Sequence, residues 1–249
     1  IFLPKIINKR FNKIFAKGNL EGKFVIPFET DGSIGKDYGF TGKVSDASIN
    51  LTKEFTIKNL TTEIKHKKND IGDEFKVIIQ KGSIYDLKLA DSTFNLKREK
   101  SKTKITSLLR TNGKLNFSQL KKISSLFGFN INFFKDINGT ADLKTSINFD
   151  LDQRFRIKNL SYSMEGNMDS LELDTEEKRT IRKYLPLYDP KIIFKDTNIK
   201  FSQSKSDQFM ELKGLIKLND QFDSFEIQNK YNSNKNSFDI KGTADLTNS

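Results

Sequence analysis

Ala47-Ser48-Ile49-Asn50-Leu51, followed by Phe55-Thr56-Ile57, alternates apolar and polar residues one for one. A side-chain period of two belongs to a strand whose successive residues point to opposite faces, one greasy and one wet. The same rhythm returns in Phe75-Lys76-Val77-Ile78-Ile79, Leu87-Lys88-Leu89 and Phe94-Asn95-Leu96. It continues in Ile147-Asn148-Phe149-Asp150-Leu151, Ile199-Lys200-Phe201, Phe225-Glu226-Ile227 and Phe238-Asp239-Ile240. The polar partners are mainly Lys, Asn, Asp, Ser and Thr. This predicts an all-β chain built as an antiparallel sheet with one apolar and one solvated face.

Gly, Asn and Asp punctuate the pattern, as in Asn69-Asp70, Asn138-Gly139 and Asn219-Asp220, which read as turn signals. Two stretches read as short helices. In the first, Ser118 caps a turn carrying Leu120, Ile123 and Leu126 until Gly128 stops it. In the second, Asp174-Thr175-Glu176-Glu177 opens a stretch through Ile181 and Tyr184, with acidic residues suited to the helix dipole. Residues 1–17 are basic and apolar, and Phe2, Ile6, Ile7, Phe11, Ile14 and Phe15 have partly helical spacing, a third candidate helix for packing or an interface. The expected organisation is this N-terminal segment, 1–17, and a repetitive β region, 18–249.

The repetition is explicit. Phe55-Thr56-Ile57-Lys58-Asn59-Leu60 recurs as Phe155-Arg156-Ile157-Lys158-Asn159-Leu160 and, more weakly, as Phe225-Glu226-Ile227-Gln228-Asn229. Gly139-Thr140-Ala141-Asp142-Leu143 recurs as Gly242-Thr243-Ala244-Asp245-Leu246, and Ser48-Ile49-Asn50 as Ser146-Ile147-Asn148. Each unit orders a glycine-led strand (Gly42, Gly139, Gly214) before a Phe-x-Ile-x-Asn strand. Around the Asn the apolar parity slips by one: Phe55 and Ile57 are odd, Leu60 and Ile64 even. The second copy slips likewise, from Phe155 and Ile157 to Leu160, Tyr162 and Met164. A one-residue slip turns side chains to the wrong face unless a bulge absorbs it, so Asn59 and Asn159 are expected to be bulge residues.

The 249 residues hold 35% hydrophobic and 30% charged side chains, with a net charge of +11. Basic residues run along the whole chain, which reads as solvated lysine-bearing strand faces, or as attraction to an anionic membrane surface. No nucleic-acid motif is present, so no nucleic-acid partner is expected. There is no Cys, which removes disulfides, zinc ribbons and thiol chemistry, and the single His66 sits among Lys65, Lys67 and Lys68 and reads as a surface residue. No phosphate-binding glycine loop and no nucleophile elbow occur. Glu176-Glu177 and Asp73-Glu74 read as solvated carboxylates, so no catalytic residue, metal or cofactor is expected. No 18-residue apolar run offers a membrane-spanning helix. The chain opens on Ile1 and reads as a fragment of a longer protein.

About a dozen strands cannot hide an apolar face without curling or a second layer, and few helical residues are available to supply one. A closed sandwich or barrel core is one solution. The favoured one is an elongated, curved antiparallel sheet forming an open groove, with two or three short helices, roughly 55–60 Å long at ~4.8 Å per strand. Its expected lining is Ile49, Leu51, Phe55, Ile57, Phe75, Val77, Ile79, Leu87, Leu89, Phe94 and Leu96, then Leu143, Ile147, Phe149, Leu151, Phe155, Ile157, Ile199, Phe201, Phe225, Ile227, Phe238 and Ile240. An outer-membrane barrel also alternates, but the absence of Trp and the presence of only 6 Tyr argue against its aromatic girdles.

The strands from Gly42 to Leu51 and from Gly139 to Leu143, the amphipathic stretch Phe117–Leu126 before a new strand set, and Tyr184–Pro190 leading into Ile192-Ile193-Phe194 resemble the AsmA-like repeat proteins of the Gram-negative envelope. The resemblance covers roughly residues 18–249. It implies a non-enzymatic periplasmic body with an inner-membrane anchor that lies outside this sequence. It also implies phospholipid or another acyl lipid as cargo, carried along an apolar trough between the inner and outer membranes. The alternative is a scaffold for assembling outer-membrane β proteins, in which a sheet edge pairs with an envelope β-protein partner.

Overall fold

The structure, a computed structural model, describes residues 16–33, 35, 37–50, 56–69, 72–99, 102–126, 134–154, 156–175, 190–218 and 221–245. They form one open sheet of twelve strands, each hydrogen-bonded to its neighbours in sequence, with β1 and β12 as its edges. The strands are β1 (Ala16–Val25), β2 (Gly39–Asn50), β3 (Thr56–Asn69), β4 (Gly72–Ile84), β5 (Leu87–Arg98) and β6 (Thr103–Asn116), then β7 (Phe134–Leu151), β8 (Ile157–Thr175), β9 (Lys191–Gln203), β10 (Asp207–Lys217), β11 (Phe222–Asn232) and β12 (Ser237–Ala244). The all-β, antiparallel reading of the sequence is what the structure has. By contacts, the first compact unit holds the chain up to Arg110 with 146–160, and the second holds Thr111–Thr145 with 161 onward.

One helix lies among the described residues, α1 (Phe117–Leu126). Its cap is not Ser118. The Asn116 side-chain oxygen accepts from the Gln119 N–H at 3.0 Å, and Gln119 reaches back to the Asn116 N–H at 3.4 Å. This reciprocal capping box places the cap two residues before the expected one. The expected helix after Asp174 falls at 176–189, outside the described residues, while Asp174 and Thr175 end β8. Residues 1–15 also lie outside, and β1 starts at Ala16.

The decisive local feature is a left-handed residue inside a strand. Asp46, Asn59, Asp91, Asn159 and Asp196 have φ between 45° and 51°. Asx residues tolerate this region better than other non-glycine residues because their short polar side chains bond locally. Each inserts a half-twist that moves the apolar parity by one. In β5 the apolar positions run Leu87, Leu89, then Ser92, Phe94, Leu96. In β9 they run Ile192, Phe194, then Thr197, Ile199, Phe201. The bulges expected at Asn59 and Asn159 are therefore present as left-handed residues, and register shifts bracket Asn59 on both neighbouring strands. The third copy, Asn229, is different: β11 pairs β10 and β12 without a shift.

The residue after each Asp bulge is small and buried. Ser92 and Thr197 are 0% exposed, and Ala47 is 2% exposed. Ser92 Oγ donates to the Ala90 carbonyl at 3.0 Å and accepts from the Arg110 N–H at 2.8 Å. Thr197 Oγ1 makes the equivalent bond to the Lys195 carbonyl, also 3.0 Å. Gly214 faces this second bulge: a Cβ there would fall 2.6 Å from Thr197 Cα. So Gly214 lies deep inside β10, and likewise Gly42 and Gly139 lie inside β2 and β7 rather than leading them. Asn138-Gly139, expected at a turn, sits mid-strand, where the Ser170 carbonyl of β8 approaches too closely for a side chain. A two-residue turn instead joins β4 to β5 at Tyr85-Asp86, and Ser204-Lys205-Ser206 joins β9 to β10.

Candidate functional site

Directly paired residues of an antiparallel sheet share a face, so register assigns the apolar side. In the first unit, one row runs Phe24, Phe40, His66, Phe75 and Leu96 across β1–β5. The next runs Gly22, Gly42, Ile64, Val77 and Phe94, and a third Leu20, Val44, Thr62, Ile79 and Ser92. Beyond the bulges Ile49, Ile57, Ile84 and Leu87 form a fourth. In the second unit, Met164, Phe201, Met210, Asn229 and Ile240 form one row, and Gly166, Ile199, Leu212, Ile227 and Gly242 another. Past the Asp196 bulge come Leu171, Phe194 and Ile216, with the Phe194 ring edge-on to Phe225 at 5.4 Å.

The expected lining residues that these rows contain thus fall together on one face within each unit. Leu51, Phe55 and Phe155 lie outside the described residues. Ile157, Phe238 and Ile240 are exposed rather than half-sheltered, at 57%, 66% and 67%. Phe238 stacks on Tyr231 at 4.4 Å. At the other extreme, Leu87, Leu89 and Phe225 are buried beside the bulges. The remaining lining residues, including Phe75, Val77, Ile79, Phe94, Leu96, Ile147, Phe149, Ile199, Phe201 and Ile227, are half-buried. A face sealed under a second protein layer would bury them. In the first unit the face is therefore graded, tightly packed at the bulges and open towards Phe75 and Leu96.

Sequence reading missed members of this face. Leu20, Phe24, Phe40, Val44 and Ile64 belong to it, and the alternation Phe40-x-Gly42-x-Val44 carried the signal. His66 was expected on the surface; it is half-buried within the apolar row, between Phe40 and Phe75, with Nε2 3.4 Å from Asp73 Oδ1. Asn229 is a polar intruder between Met210 and Ile240, and its Oδ1 is buried with no hydrogen-bond partner among the described residues.

The opposite face is charged. In the second unit it carries a ladder: Lys144 to Glu165 at 2.8 Å, Lys200 to Glu211 at 2.8 Å, Gln228 to Glu211 at 3.1 Å and Lys213 to Glu226 at 3.1 Å. The hydrogen bond from Lys144 holds the Glu165 carboxyl below its ordinary value, and that from Lys200 does the same for Glu211. Among the described residues no group of His, Asp and Glu is arranged to hold a metal. No described helix is long and apolar enough to cross a membrane. Compared with known protein-family models, curated proteins and solved structures, the chain matches none.

Proposed function

We propose that the chain is a non-enzymatic lipid-binding segment of a bacterial envelope protein, holding acyl chains on the apolar face of its sheet for phospholipid transport between the inner and outer membranes. The observation that carries this reading is the apolar face, within each unit, of half-buried Phe, Ile, Leu and Val side chains. Hydrocarbon laid along such rows is removed from water at about 0.8 kcal/mol per CH₂, so a tail of about 16 carbons gains roughly 12 kcal/mol before ordering costs. Contacts of this kind lack direction, which lets a tail slide along the rows, with His66 and Asn229 as polar interruptions. The resemblance to AsmA-like repeats supplies the envelope setting.

Native mass spectrometry of protein purified without detergent tests the reading. Bound phospholipid is expected, and Val77→Asp/Phe94→Asp is expected to lose it while keeping its β circular dichroism. Protein that is lipid-free in repeated preparations, or a variant that retains lipid equally, contradicts the reading.

The scaffold alternative rests on a different observation. Both edge strands expose large apolar side chains: Leu20, Phe24 and Val25 on β1, and Phe238 and Ile240 on β12. An exposed apolar edge invites an added strand. Phe238→Lys/Ile240→Lys abolishes capture of envelope β proteins by the full chain if this reading is right, and leaves it unchanged if the edge is idle.

A further inference from the structure

The charged face of the first unit differs from the ladder of the second at one end. One row pairs Glu21, Lys43 and Glu63, alternating in sign as a solvated face should. The adjacent row runs Lys23, Thr41, Lys65, Lys76 and Asn95, with three cations and no carboxylate, and Lys65 stands directly opposite Lys76. Like charges facing each other across a strand pair are unfavourable. Among the described residues none of Lys23, Lys65 and Lys76 has a carboxylate partner.

This row borders a cleft of about 690 Å³ whose walls include Val25, Lys65, Lys67, Lys76, Lys97 and Lys104. Its one acidic wall residue, Glu74, is 3.6 Å from Lys97, so that pair cancels and four lysines are left. Cross-strand neighbours stand ~4.8 Å apart and same-face neighbours along a strand ~6.8 Å apart. Flexible lysine ammonium groups on that grid converge on two phosphate groups at once, each ammonium offering three donors. Asn95 and Thr106, also on the cleft wall, add neutral polar groups.

We propose that this cleft binds an anion bearing two or more clustered phosphate groups, either a soluble oligophosphate or the phosphates of an anionic lipid surface. The lysines of the site lie on the charged face, while Phe40, His66, Phe75 and Leu96 of the apolar row also border the cleft. A bound anion relieves the Lys65–Lys76 opposition, which no carboxylate in their own row offsets.

The full chain is titrated with sodium tripolyphosphate by calorimetry at low ionic strength. It is also sedimented with vesicles of phosphatidylcholine containing one-fifth phosphatidic acid, against pure phosphatidylcholine. Binding in the first arm alone identifies a soluble ligand, and in the second alone a membrane surface; either supports the site. Lys65→Gln/Lys76→Gln is expected to weaken that binding at least tenfold. Lys43→Gln, from the charge-balanced row, is expected to change it less than twofold. These lysines are exposed, so both variants are expected to fold, which circular dichroism checks. No binding in either arm, or equal losses in the two variants, overturns the proposal.

Discussion

Single Asp and Asn residues decide which way the side chains of a strand point. Asp196 has φ 48°, and the strand's apolar side chains stay on one face only because the parity changes there. A β-branched residue in this region is strained by roughly 1–3 kcal/mol, whereas glycine adopts it freely. Asp196→Val is therefore expected to destabilise by about that amount and Asp196→Gly to stay within about 1 kcal/mol, compared by urea unfolding. Equal losses from the two would mean that the side chain, and not the backbone, matters. Asn229 makes the opposite prediction. Its buried Oδ1 has no described partner, and replacing such a group by an apolar one of similar shape is neutral or stabilising. Asn229→Leu should raise the unfolding free energy by about 1 kcal/mol, and a loss of that size would show the amide to be used. At this scale the Asn59 and Asn159 bulges were legible, because the slip in apolar parity is written in the sequence around Lys-Asn-Leu. Asp46, Asp91 and Asp196 were missed, although Leu87-x-Leu89 and Phe94-x-Leu96 differ in parity. The small residue after each Asp was the remaining clue, and it means nothing until a neighbouring strand is seen to press on it.

Strands were legible as elements because period two survives any tertiary context that leaves one face wet. Their limits were less so. Gly139 looks like a turn signal, yet it is mid-strand because β8 approaches it, a fact that belongs to pairing and not to local propensity. The α1 stretch was read correctly from Leu120 and its neighbours, but its cap was misplaced, since Ser118 and Asn116 both suit an N-cap and only the reach of Gln119 separates them. The ladder over β7–β11 was invisible, because cross-strand charge pairs have no fixed sequence spacing. It has a pH signature. Glu165 and Glu211 lie below their ordinary 4.5, chiefly through hydrogen bonds from Lys144 and Lys200. Between the lowered and ordinary values the unfolded chain binds protons that the folded chain does not. The ladder's contribution is therefore complete above about pH 4.5 and is lost as pH falls through the lowered values. Lys200 is raised above 10.5 by the same bond to Glu211, so its contribution is present below 10.5 and fades as pH climbs through the raised value. Melting curves should show Glu211→Gln losing less stability than the parent between pH 5 and pH 3, within the range set by that ordinary 4.5. Parallel losses would remove the ladder from the account.

The whole molecule is a sheet whose apolar rows lie on one side within each unit, and in its twelve-strand, open-edged topology every strand pairs with its neighbours in sequence. The class of fold was legible in the sequence, and so was most of the apolar face, because alternation names its members strand by strand. Which members are buried was not: Leu87 and Phe225 are buried, while Phe238 and Ile240 sit exposed on an edge that alternation alone does not reveal. The lysine cleft was hidden too, since Lys65 and Lys76 meet only through register. The central claim is that hydrocarbon reaches the apolar side of the sheet and not the charged side. Site-specific photocrosslinking in cells tests it most directly, with a photoreactive residue placed at Phe94 or at its neighbour Thr93, which pairs with Ile78 on the opposite face. Lipid adducts at position 94 and none at 93 are the predicted result; equal labelling at the two positions, or none at 94, would contradict it.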